Sequence, residues 1–429
     1  MTRTMSTTGA LRGLTPAQRK TFIASFLGWT LDAFDFFLVV VVLRHVAADL
    51  KTTFVAVSLA VTLTLALRPL GALIFGWFAD KYGRRVPLMI DVGLYSLLEL
   101  ATAFSPNLTV FIVLRALFGI AMGGEWGIGA ALAMEALPAE KRGLFSGILQ
   151  EGYAVGNLLA GIVFGVLFVH IGWRWMFVIG ALPALLIFFI RSQVPESPAW
   201  LAGQAQKIAG GPHPLLRSLT TQWPLFVYAV FFMAAFNFMS HGTQDPYVSA
   251  FLNGQHGFSP ALSGTINSVA SIGAIIGGIL FGGLSQRFGR RRMIITCAVL
   301  GGAVVPLWAF SSTAALLGLG GFLMQVMVQG AWGIIPAHLN ELSPDDIRGT
   351  FPGFTYQFGN LIASATLTIE AMLAKNTFPL PDGRPNYAMA MAVFTGAVFV
   401  FVIVMTAIGY FVAPERRQQA FAPAAVTAE

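Results

Sequence analysis

Ionisable residues are few in this chain, and most of the informative ones sit inside apolar runs, where an unsolvated charge is costly and usually serves a cavity. In LGWTLDAFDFF, Asp32 and Asp35 stand three positions apart, the spacing that puts two side chains on one helical face. Carboxyl groups placed this way either carry a proton or pair with a neighbouring arginine to hold a bundle together. The run NFMSHGTQDPYVS sets most of Asn237, His241, Gln244 and Asp245 on one helical stripe, and Pro246 removes a backbone donor, which loosens the turn before it. His241 is either a working group on that stripe or a hydrogen-bonded structural histidine. Arg68, in LALRPLGA, offers a planar fork that grips a carboxylate through two parallel bonds; its other reading is an ion pair with Asp32 or Asp35. Arg115 has Glu125 or Asp35 as candidate partners. Gln150, Glu151, Tyr153 and Asn157, with Tyr356, either line a cavity or merely pack, as Gly152 and Gly156 beside them suggest.

Other chemistry has no footing. The sequence holds no recognisable nucleophile with its base, no metal-ligand cluster and no cofactor loop, so neither an enzyme nor a cofactor is expected. His45, His170, His213, His256 and His338 are scattered and suggest no metal site. Cys297 is the single cysteine and cannot form an intramolecular disulfide.

The elements that must position these groups are membrane helices. Of 429 residues, 56% are hydrophobic and 10% charged, with mean hydropathy +0.73, well outside the balance of soluble proteins, about a quarter of whose residues are charged. The apolar residues fall into twelve stretches of roughly 20, the length that crosses the hydrocarbon core as a helix. The eleventh is expected over 350–373. The tail before residue 21 has no apolar core of its own, so no cleaved signal peptide is expected and the first helix inserts as an anchor. The net charge of +7 is explained by loop position, not by nucleic acid. If the N-terminus is cytoplasmic, most of the 26 Lys and Arg fall on the cytoplasmic side, and only Arg44, Lys51, Arg174, Lys375 and Arg384 lie opposite. Both termini are then inside.

Landmarks recur at one offset. Glu135 and Glu341, Arg142 and Arg348, Trp126 and Trp332, and Gly83-Arg84-Arg85 and Gly289-Arg290-Arg291 are each 206 residues apart, the mark of an internal repeat. The same offset relates Asp35 to His241. The expected organisation is a cytoplasmic tail (1–20), a six-helix bundle (21–191), a Pro/Gly-rich cytoplasmic linker (192–221), a second six-helix bundle (222–413) and a short cytoplasmic tail (414–429), with a cavity between the bundles. The fold class is all-α and membrane-embedded.

Residues 76–85, GWFADKYGRR, match the G-x-x-x-D-[RK]-x-G-R-[RK] loop of the major facilitator superfamily, and 282–291, GGLSQRFGRR, repeat it with Gln286 in place of Asp. The whole chain resembles a major facilitator. The Glu135/Arg142 and Glu341/Arg348 pairs and PESPAW at 195–200 resemble cytoplasmic features of its sugar-porter branch. Asp80, Arg84, Glu135, Arg142, Glu341 and Arg348 then form a gating latch whose ion pairs make and break between conformations.

The stretch from Asn237 to Ser249 is similar to the N-x-x-[ST]-H-x-[ST]-Q-D-x-x-x-[ST] signature of fungal lactate and pyruvate permeases, with Ser249 where Thr is usual. That resemblance, within a group of carboxylate and sialate proton symporters, implies proton-coupled uptake of a small monocarboxylate. It gives Arg68 and the motif residues a part in substrate recognition, with Gln357 and Asn360 as likely-placed counterparts of two further polar positions. Arg115 resembles the arginine of the fourth-helix motif of proton-coupled facilitators, so Asp32, Asp35, Asp245 and Arg115 are the expected coupling residues. A carrier of sialic or aromatic acids is the alternative, and a neutral-sugar carrier ranks below both. The expected partners are the carboxylate, protons and the lipid bilayer of a bacterial inner membrane, with the protein monomeric. The short tail after Pro414 argues against a nutrient sensor.

Overall fold

The computed structural model describes residues 13–205, 218, 220–417, 419 and 421. The N-terminal arginines Arg3 and Arg12, much of the expected linker including Lys207 and Arg217, and most of the C-terminal tail lie outside the described residues.

Long apolar stretches fold as helices because lipid offers no partner for backbone N–H and C=O groups. The first half holds α1 (Pro16–Asp49), α2 (Phe54–Tyr82), α3 (Arg85–Ala103), α4 (Leu108–Ala136), α5 (Ala139–Phe168) and α6 (His170–Gln193). The second holds α7 (Trp223–Gln255), α8 (Pro260–Phe288), α9 (Arg290–Phe310), α10 (Ala314–Leu342), α11 and α12 (Tyr387–Val412). A short helix, Pro198–Ala205, follows α6. Eleven of these helices are long and apolar enough to span a bilayer. The exception is α11, which Ser364 and Ala365 divide into Phe351–Ala363 and Thr366–Met372. The expected span over 350–373 is therefore present but broken. After Pro246, α7 loosens into i+5 bonding over Tyr247–Gln255, consistent with a missing proline donor.

The repeat is visible in the caps and in the packing. Thr53 and Ser259 cap α2 and α8, and Asn107 and Thr313 cap α4 and α10, each pair 206 residues apart; an N-cap oxygen satisfies a helix-end N–H that has no other partner. In the α2–α4 crossing a Cβ on Gly71 would stand 2.8 Å from the Ile120 carbonyl carbon. In the equivalent α8–α10 crossing a Cβ on Gly277 would stand 2.7 Å from the Val326 Cα. Only glycine permits these backbones to approach so closely, and such packing replaces the hydrophobic drive that lipid removes. Large apolar side chains such as Phe188 on α6 and Phe411 on α12 are exposed outward, as a lipid-facing surface requires.

Candidate functional site

A cavity of about 450 Å³ lies between the bundles. Its lining comes from the halves of the helices remote from the termini: Phe37 and Val40 of α1, Leu65 and Arg68 of α2, Gln244 and Asp245 of α7, Asn267 and Ser271 of α8. It therefore opens away from the face that carries both chain ends.

That face is closed by two clasps related by the repeat. The Asp80 carboxylate of α2 accepts hydrogen bonds from Gly349 N at 2.7 Å, Thr350 N at 3.0 Å and the Thr350 hydroxyl at 2.6 Å, all across the bundle interface. The equivalent Gln286 of α8 accepts from Gly143 N at 3.2 Å, so each half holds the matching backbone amide of the other. Arg84 bridges Asp80 at 2.9 Å and Glu135 at 3.0 Å, Arg348 reaches Glu135 across the interface at 3.5 Å, and Arg290 pairs with Glu341 at 2.7 Å. Among the described residues Arg142 meets carbonyls, not a carboxylate: Met134 O at 2.9 Å and Gln419 O at 2.7 Å. The Phe421 ring lies 3.5 Å from the Arg142 guanidinium carbon and 4.1 Å from that of Arg348, so the C-terminal segment straps the two halves together.

On the first-bundle side of the cavity Arg68 projects among Trp29, Phe36, Phe37 and Tyr153. Its guanidinium is 3.8 Å from the Asp32 carboxylate and 5.3 Å from the Phe36 ring centroid, and its Nε donates to no protein acceptor. Opposite it, His241 is held at 3.0 Å by Asp245 through Nδ1 and at 3.0 Å by Asn360 through Nε2. Gln244 donates to Gln325 at 3.0 Å, and Asn237 donates to the Met233 carbonyl at 2.8 Å. Tyr356 borders the same space, beside Trp126 and Trp332. The structure thus brings Arg68, Asn237, His241, Gln244, Asp245, Tyr356 and Asn360 to one cavity, together with Gln150, Glu151, Tyr153 and Asn157. Gln357 is buried and does not border it.

Asp32 and Asp35 stand behind the wall, fully buried. Asp32 backs Arg68. Asp35 turns toward α6, where its Oδ1 and Glu99 Oε1 lie 3.2 Å and 3.0 Å from the point a Gly180 side chain would occupy. Arg115 pairs with Glu99, so its partner is neither Glu125 nor Asp35. Asp91 and Glu125 are also fully buried, and none of their carboxylate oxygens accepts a hydrogen bond among the described residues. The first bundle therefore encloses five carboxyl groups around two guanidinium groups. Glu370 of α11 is a sixth buried carboxyl, next to Gly242 of α7. Sequence reasoning passed over Asp91, Glu99, Glu370 and Gln325, although a carboxylate inside an apolar span, as in DVGLYSLLELATA, is itself the available signal.

Such an arrangement binds an anion in a cavity closed on one face, and holds a latch that can open that face. It offers no reaction centre, and no group of three or more metal-ligating side chains occurs among the described residues.

The sequence pattern of the Major Facilitator Superfamily matches residues 25–365 and 230–427. The chain is 32% identical over 429 residues to the carboxylic acid transporter protein homolog of Saccharomyces cerevisiae, covering 93% of this chain and 69% of that one. It is 28% identical over 351 residues to the sialic acid transporter NanX of Escherichia coli, covering 80% and 84%. Among solved structures, the proton:xylose symporter XylE bound to 6-bromo-6-deoxy-D-glucose superposes with a TM-score of 0.73 over 94% of this chain and 97% of that one, at 18% identity, a likeness of fold. The twelve-helix fold with two related bundles, the interlocked latch and these matches together establish that the chain belongs to the Major Facilitator Superfamily and is a secondary transporter of a small metabolite, not an enzyme.

Proposed function

We propose that this protein is a proton-coupled symporter importing a small monocarboxylate such as lactate or pyruvate by alternating access. The observation that carries this reading is Arg68: a cation at the cavity wall with a free Nε donor, facing His241 and Asn360 across the space. A carboxylate entering a low-dielectric cavity is best held by such a fixed fork. The printed description of the yeast relative as a carboxylic acid transporter homolog supports the same substrate class. With the termini cytoplasmic, as the charge asymmetry of the loops favours, the cavity faces outside and the clasped latch closes the inside.

Importing one negative charge against 100 mV costs about 2.3 kcal/mol, which a co-transported proton cancels. In the proposed cycle a proton on a carboxyl of α1 releases Arg68 from Asp32 so that it grips the substrate; the bundles then rock about the cavity as Asp80 lets go of Thr350. Asp32, Asp35, Arg115 and Asp245 are assigned to coupling, and Asn237, His241, Gln244, Tyr356, Gln357 and Asn360 to substrate recognition, with Gln357 acting from behind the wall.

A second reading, a proton symporter of sialic acid or an aromatic acid, has its own support. A cavity of about 450 Å³ is within the range that houses drug-sized ligands, and Trp29, Phe36 and Tyr153 present aromatic surface beside Arg68. Counterflow into proteoliposomes loaded with unlabelled acid separates the two. Exchange with lactate and pyruvate supports the first reading; exchange confined to sialic or aromatic acids replaces it with the second; exchange confined to neutral sugars refutes both.

A further inference from the structure

A second pocket, of about 350 Å³, lies on the face that carries the termini, at the outer edge of the second bundle. It is formed where the α8–α9 turn meets the chain leaving α12, and Arg291, Arg292 and Arg417 line it. Arg287 adjoins it, its carbonyl accepting from Arg417 at 3.2 Å. The carboxylate in the pocket, Glu415, is committed to the backbone: it accepts from Arg291 N at 2.8 Å and from Arg290 N at 3.3 Å. Among the described residues no ion pair involves Arg287, Arg291, Arg292 or Arg417.

The repeat shows that these charges are not needed to build the turn. In the first bundle Glu196 caps Arg84 N at 2.7 Å and Arg85 N at 3.2 Å, as Glu415 does in the second. The scaffold is the same, but the position of Arg292 is held by Val86, and that of Arg417, two residues beyond the capping glutamate, by Pro198. The second bundle has thus added cations to a turn that folds without them. Their surroundings point to the occupant: Phe288 and Tyr410 are about half exposed at 47% and 49%, and Phe411 is 91% exposed. An arginine pocket bordered by outward aromatic surface at the end of membrane helices suits a phosphate headgroup whose chains continue along the helix.

We infer that this pocket binds the phosphate of an anionic phospholipid headgroup through Arg291, Arg292 and Arg417, with the acyl chains lying against Phe288, Tyr410 and Phe411. The guanidinium forks supply the paired donors that a phosphate accepts.

The full-length protein in phosphatidylcholine nanodiscs doped with phosphatidylglycerol, followed by native mass spectrometry, tests the assignment. Wild type and the control Arg384→Gln, on the opposite face, are expected to retain phosphatidylglycerol in preference to phosphatidylcholine. The double variant Arg292→Gln/Arg417→Gln is expected to bind it about 20-fold more weakly, and either single variant about fivefold. The single variants carry the test if the double variant melts below wild type in phosphatidylcholine alone. Equal phosphatidylglycerol retention by wild type and variants, or no preference in wild type, overturns the inference. Displacement of the lipid by millimolar inorganic phosphate overturns the lipid assignment and leaves a free-phosphate site.

Discussion

The Thr350 hydroxyl of the second bundle donates a 2.6 Å hydrogen bond to the Asp80 carboxylate of the first. With the two backbone bonds from Gly349 and Thr350, it makes one aspartate the main fastening of the closed face. Its counterpart Gln286 is neutral and makes the equivalent bond to Gly143 at 3.2 Å, so the two clasps are alike in geometry and unequal in strength.

Asp80→Asn keeps the shape and removes the charge. Charge-assisted hydrogen bonds are worth about 1.5–3 kcal/mol against about 1 for neutral ones, so the variant should shift the balance about tenfold toward opening at the termini face. A cysteine introduced at Leu65, in the cavity wall, reports this with an impermeant thiol reagent applied from the cavity-open face, since the native Cys297 is buried. Labelling should slow; labelling at the wild-type rate would count against the latch.

Phe421→Ala addresses the strap. The ring stacks on Arg142 and Arg348, and each cation–π contact is worth about 0.5–1 kcal/mol. The same reporter should show a shift of about three- to tenfold in the direction of Asp80→Asn, with no loss of thermal stability in detergent. A variant labelled like wild type would show that the strap follows the latch and does not hold it.

The Arg115–Glu99 pair predicts a non-additive stability effect. Breaking a buried ion pair leaves one charge uncompensated and costs about 3–5 kcal/mol, whereas replacing both partners by apolar groups can be nearly neutral. Glu99→Leu and Arg115→Met should each lower the melting temperature sharply, and the double variant should recover most of the loss. Additive losses would mean that the two residues act separately.

How far these residues were legible in the sequence follows from what each depends on. Length and apolarity determine the spans, and the constant offset exposed the repeat, so the fold and the latch residues Asp80, Arg84 and Glu135 could be read directly. Arg68, His241 and Asn360 were readable as polar residues in apolar helices, but their convergence on one cavity depends on how bundles are placed. The partner of Arg115 was not readable: Glu99 lies on another helix, and no spacing rule reports which helices touch. The break in α11 at Ser364 and Ala365 carries no proline or glycine to announce it. The Phe421 strap was hidden for the same reason as Glu99, since a contact between a tail and two distant loops leaves no periodicity.

The central claim is that Arg68 anchors a carboxylate whose entry is coupled to a proton. Uptake of labelled lactate by proteoliposomes, with and without an inward proton gradient, for wild type and Arg68→Ala, tests it most directly. The account predicts gradient-stimulated uptake by wild type and a loss of at least about 30-fold in the variant, the consequence of losing a charged hydrogen-bonding partner worth about 2 kcal/mol or more. Uptake by Arg68→Ala that still responds to the gradient at the wild-type rate would contradict it.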